Sequence, residues 1–110
     1  MQIEKKDKYT LISSDENTLE EFQNALLEKI NEFEKAHVIL QISEKINVKN
    51  KDFSVILNLV ENKQEKNTSV VIINADLNSD NFPEHINIVP TMQEAKDILE
   101  MEAIERELGF

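Results

Sequence analysis

Two short runs set the terms for this chain: Val38-Ile39-Leu40 and Val70-Val71-Ile72-Ile73. Neither alternates apolar with polar residues, so neither suits a sheet with one wet face. Each reads as a strand covered on both sides, as in a parallel sheet packed under helices. The flanking segments supply the helices. Leu19, Phe22, Leu26, Ile30 and Phe33 recur at steps of three and four, with Glu20, Glu28 and Lys29 on the other face. Phe53, Ile56, Leu57 and Val60 repeat in the same way, widened by Val55 and Leu59, and Glu61 to Asn67 is a polar exit. Ala95, Ile98 and Leu99, continued by Ala103, Ile104 and Leu108, mark a last helix.

Local signals place the ends of these elements. Thr18 with Glu21, and Thr91 with Glu94, have capping-box spacing, in which the threonine hydroxyl accepts an orphan N–H of the first helical turn and the glutamate carboxylate accepts from the threonine N–H in return. Gly109 sits where a helix end wants a left-handed residue. Gln2 to Lys5 and Lys8 to Ser13 read as a hairpin turning at Lys6 and Asp7. Ala36 to Ile42 encloses the first apolar run. Asp76 to Pro83 reads as a loop, and His85 to Val89 alternates like a strand nearer an edge. The expected order is β-β-α-β-α-β-β-α in one α/β domain, residues 1–110. Strands separated by helices imply parallel pairs joined by right-handed crossovers.

Composition narrows the partners. The 110 residues include 22 acids and 12 bases, a formal net charge of −10. An acidic surface repels nucleic acid and anionic membrane alike and admits a basic protein partner. No cysteine is present, so disulfides, thiolate nucleophiles and cysteine-ligated zinc are excluded. The N-terminus, MQIEKKDKY, lacks an apolar signal core. The longest apolar run, Val70 to Ile73, falls far short of the ~20 residues that cross a bilayer. A cytoplasmic location is expected.

The order of elements resembles the STAS domain, the fold of bacterial anti-sigma factor antagonists and of the cytoplasmic ends of sulfate transporters. Two stretches carry the likeness. Leu40-Gln41-Ile42-Ser43 through Leu57 lies without a gap on the family's strand, loop and Asp-Ser-Ser-Gly helix start. Ile88-Val89-Pro90-Thr91 followed by Glu94-Ala95 is similar to its last strand and helix. Lys49, Asn50, Lys51 and Asp52 stand where the family has Asp-Ser-Ser-Gly, so its two hydroxyl positions fall on Asn50 and Lys51. Neither side chain can accept a phosphoryl group there. Ser54 is expected inside the helix, Asn50 as its N-cap, and Asp52 early in its first turn, at the positive end of its dipole. The family's usual helix before the last strand is replaced by the loop Asp76 to Pro83. The tail Met101 to Phe110 resembles short STAS-like chains of the Bacteroidetes, some of them labelled ribonuclease Z. The HxHxDH metal site of such a nuclease is missing from this sequence.

The resemblance implies a non-catalytic, regulatory protein-binding module. Its expected docking surface is the connection after the first apolar run, with Lys45, Lys49, Asn50, Lys51, Asp52 and Phe53. Lys45, Lys49 and Lys51 form a basic island on an acidic chain, suited to a partner with an acidic patch. Ile104, Leu108 and Phe110 continue an apolar stripe that either packs back on the domain or docks in a groove of a partner or a second copy. A module for a nucleotide or lipid, or a homodimerising structural subunit, is the alternative. No metal or cofactor is expected. His37 and His85 lack a third ligand. Asp76, Asn78 and Asp80 begin a calcium-loop spacing that fails at Asn81 and Asn87, where glycine and glutamate are needed. No GxSxG, phosphate-binding glycine loop or HExxH occurs, and no enzymatic activity is expected.

Overall fold

The computed structural model describes residues 1–109, so the expectation for Phe110 lies outside the described residues. At its centre Val38–Gln41 (β3) and Val70–Ile73 (β4) run parallel, with Val38 beside Val70 and Leu40 beside Ile72. Thr10–Ser13 (β2) pairs parallel with β3, and Gln2–Lys5 (β1) pairs antiparallel outside it. Asn87–Val89 (β5) pairs parallel with β4 and forms the other edge. The strand order is therefore β1-β2-β3-β4-β5. The helices are α1 (Leu19–Glu28), α2 (Ile30–Phe33), α3 (Ser54–Glu65) and α4 (Met92–Glu107), and a 3-10 turn covers Ser79–Asn81. This is the expected α/β class, and β5 takes the edge as its alternation implies. β1 and β4 have the expected bounds, while β2, β3 and β5 are shorter than the segments that flagged them.

The residue-by-residue alternation of a strand divides the two apolar runs between two cores. Val38, Leu40, Val70 and Ile72 face one layer with Ile12, Leu19, Phe22, Leu26, Phe33, Ile56 and Val60. Ile39, Val71 and Ile73 face the other, under Ala95 and the partly buried Tyr9, Leu11, Met92, Ile98 and Leu99. α1, α2 and α3 thus cover one face and α4 alone covers the other.

Three local differences from expectation have physical causes. The first helix divides at Lys29, whose N–H is shared between the carbonyls of Ala25 (3.2 Å) and Leu26 (3.3 Å). That sharing tightens the turn and ends the α-helical ladder, while the apolar stripe runs on to the buried Phe33. The polar exit at Glu61 is helical as far as Glu65. Asn67 (φ 61°) then ends it: its N–H donates to Gln64 O at 3.0 Å and that of Thr68 to Lys63 O at 2.9 Å. These are the paired bonds of a Schellman cap, with asparagine in place of glycine. Lys63 in that stretch is fully buried, and its Nζ donates to the carbonyls of Phe33 (2.9 Å) and Glu34 (3.2 Å) at the end of α2. Burial pushes its ammonium down to about 8. Both expected capping boxes form in their threonine half: Thr18 Oγ1 accepts from Glu21 N–H at 3.1 Å and Thr91 Oγ1 from Glu94 N–H at 3.2 Å, while among the described residues neither glutamate carboxylate makes the return bond.

At the amino ends of β3 and β4, His37 Nδ1 accepts from the Ser69 N–H at 2.9 Å. A neutral imidazole then carries its proton on Nε2. That N–H faces the Arg106 guanidinium at 3.4 Å, two donors in contact rather than a hydrogen bond. Burial, then the cations of Arg106 and Lys63, hold the His37 pKa below its usual value, against the opposing charge of Glu102. The unfolded chain therefore binds the proton first as pH falls. The stabilisation is full above about pH 6.5 and is lost as pH drops through the lower folded value. The urea midpoint is expected to fall more between pH 7.5 and 5 for the wild type than for His37→Asn, which keeps an acceptor near Nδ1. Parallel midpoint curves would count against this account.

Candidate docking cleft at the carboxyl ends of the strands

The connection from β3 to α3 is a strap rather than a free loop. Residues 45 to 49 alternate: Ile46 and Val48 turn inward and are buried in the helix-covered core, leaving Lys45, Asn47 and Lys49 outside. Side-chain turns stiffen it, with Ser43 Oγ accepting from Lys45 N–H (3.2 Å) and Asn47 Oδ1 from Lys49 N–H (3.1 Å). Phe53 closes the strap. It is buried and meets Phe82 edge to face, ring centres 5.2 Å apart at 89°.

The entrance to α3 differs from expectation. Asn50 is not the N-cap: it takes a left-handed φ of 55° and lies four residues before the helix begins at Ser54. Phe53 occupies the cap position and offers no side-chain bond. The helix amides are served instead from two other places. Asp52 Oδ1 accepts from Ser54 N–H at 2.9 Å and also takes the Ser54 hydroxyl, and these bonds hold the Asp52 carboxyl below its usual pKa. Ser54 is therefore the first residue of the helix, exposed and engaged with Asp52, rather than interior. From α1, the buried Gln23 accepts from Ile56 N–H at 3.2 Å through Oε1 and donates from Nε2 to Asp52 O at 2.8 Å. One amide thus caps α3 and pins the end of the strap.

The β4–β5 connection is tied to the same region. Buried Asn74 donates from Nδ2 to Ile42 O (3.0 Å) and accepts from Asp76 N–H (2.8 Å). Between the two connections lies a cleft of about 820 Å³, lined among others by Lys49, Lys51, Asp52, Leu57, Leu77 and Phe82. Its polar groups are of mixed sign, since Asp76 also faces it. Lys45, Lys49 and Lys51 are exposed, and among the described residues no carboxylate pairs with any of them.

Of the residues singled out in the sequence, Lys49, Asn50, Lys51, Asp52 and Phe53 line this cleft, and Lys45 lies beside it on the strap. Ile104 and Leu108 are not brought to it; they sit on α4 and at its carboxyl cap, and α4 covers the opposite face of the sheet. Gln23, Ile46, Val48, Asn74 and Phe82 escaped notice. The alternation Ile46-x-Val48 was a usable signal, whereas Gln23 looks like any polar residue of a helix. Among the described residues no group of three histidine or acidic side chains is placed to hold a metal ion, and no helix is long and apolar enough to cross a membrane. In comparisons with known proteins, no family model and no curated protein matches the chain.

Gln23→Leu is expected to orphan the Ile56 N–H and the Asp52 carbonyl, costing about 2–3 kcal/mol in urea denaturation. A loss under about 0.5 kcal/mol would mean that water replaces the amide.

Proposed function

We propose that this chain is a non-catalytic protein-binding module of STAS-like build, which docks partners on the strap Lys45 to Phe53 and its cleft. The observation that carries this reading is a set of three unpaired lysines on a strap anchored by Ile46, Val48 and Phe53, on a chain of net charge −10. A surface fixed before binding loses little entropy on association. Isolated positive charge on an acidic protein selects partners whose acidic groups face it and steers their approach. The partner would set an acidic patch against Lys45, Lys49 and Lys51, and an apolar anchor against Leu57, Leu77 and Phe82. Asn50 and Lys51 offer no hydroxyl for phosphorylation, so the module acts as an adaptor without that switch.

The test compares wild type with Lys45→Glu/Lys49→Glu/Lys51→Glu in affinity capture from the native host, scored by quantitative mass spectrometry. All three positions are exposed, so unchanged thermal stability is expected and serves as the folding control. Partners captured by the wild type are expected to drop at least about tenfold, with the loss growing as salt is lowered. Equal capture by both proteins would remove the strap as the docking surface.

A small-ligand module is the second reading. A smaller cleft of about 340 Å³ lies at the carboxyl ends of the parallel strands, lined by Ser13, Ser14, Gln41, Ser43 and Asn74. Parallel sheets commonly bind ligands at that end. A thermal-shift panel of nucleotides and lipids is expected to leave the melting temperature unchanged. A saturable rise with one compound would favour this second reading.

A further inference from the structure

α4 reverses its polarity half-way along. In its first half, Met92, Ala95, Ile98 and Leu99 pack onto the sheet. From residue 101 onward the side chains directed at the domain are charged. Glu102 Oε2 accepts from Asn87 Nδ2 at 3.0 Å, and Arg106 Nη1 donates to Ser69 Oγ at 2.9 Å. The large apolar residues of that half point outward: Met101, Ile104 and Leu108 are 52%, 50% and 66% exposed. At about 100° per residue the three fall within roughly 60° of arc, a single stripe. Charged residues inward and aliphatic residues outward are the mark of a helix face that lacks its cover.

The surroundings of the stripe say what kind of cover fits. Exposed Glu100 and Glu107 border one flank and Glu105 the other, with Asp97 one turn before Met101. Of the two cations of the helix, Arg106 is turned inward and held by Ser69, and exposed Lys96 stands one turn before Glu100, leaving the border of the stripe acidic on balance. A second copy laid against the stripe would set these carboxylates against their own images on a chain already at −10, which like-charge repulsion opposes. We propose that the outer face of α4, through Met101, Ile104 and Leu108, docks an amphipathic segment of another protein whose apolar anchors are rimmed by lysine or arginine. Apolar contact supplies the affinity, and the basic rim neutralises the four acids and excludes acidic competitors. This surface is separate from the strap, belongs to the other core layer and carries the opposite charge, so the two stand or fall independently.

The experiment selects displayed random 16-residue peptides on the full chain and measures the winners by fluorescence anisotropy. Selected sequences are expected to place apolar residues at helical spacing with lysine or arginine beside them. They should bind Met101→Ser/Ile104→Ser/Leu108→Ser at least about tenfold more weakly and Lys49→Glu/Lys51→Glu unchanged. None of the three apolar residues is in the core, so the triple variant keeps its fold. Light scattering should report a monomer. The proposal is overturned if selection yields nothing, if winners lack the basic rim, if binding survives the triple substitution, or if the wild type is a dimer that the triple variant disperses.

Discussion

The architecture depends on one geometric constraint: successive parallel strands always step in the same direction across the sheet. From β2 to β3 to β4 to β5 the order never reverses. With right-handed crossovers, every connection then falls on one face. α1, α2, α3, the strap and the 3-10 turn all gather there and build the larger core. The other face of two strands with no polar residue between Val38 and Leu40 or Val70 and Ile73 is left to a single helix.

That division accounts for the form of α4. Its 16 residues span about 24 Å at 1.5 Å per residue. A four-residue strand spans only about 13 Å. The helix begins at the carboxyl end of β5 and runs back, so its second half outreaches the apolar strip beneath it. Polar side chains take over where that strip ends. Arg106 reaches Ser69 and His37 at the amino ends of the strands, and Glu102 reaches Asn87. The inward charges of α4 thus follow from a mismatch of lengths, whereas its outward leucine, isoleucine and methionine do not.

How much of this was legible in the sequence depended on whether a signal was local. The β-branched runs, the threonine caps and Gly109 each act through their nearest neighbours, and each was readable. The division of α1 from α2 at Lys29 was not, because a shared N–H leaves no mark on the stripe that runs through it. Asn50 looked like a cap because its side chain suits one. Its left-handed backbone is a property of the strap, set by where Val48 and Phe53 must enter the core. Gln23 and Asn74 were invisible for a stronger reason. Their partners, Ile56 and Asp52 or Ile42 and Asp76, include contacts 29 to 33 residues away in three of the four cases, which no pattern along the chain records. A cap at Asn50 would have started the helix at Lys51, whereas α3 begins three residues later, at Ser54.

The two borders of the sheet bear on how the protein meets others. β1 exposes Gln2, Glu4 and Lys5, and β5 is three residues long and closed by Pro90, which has no N–H to offer. Charge on one rim and brevity on the other discourage a foreign strand from zipping onto the backbone. Association is thereby channelled to side chains on helix and strap, where identity is read residue by residue, and the fibre-forming route open to bare sheet margins is largely shut.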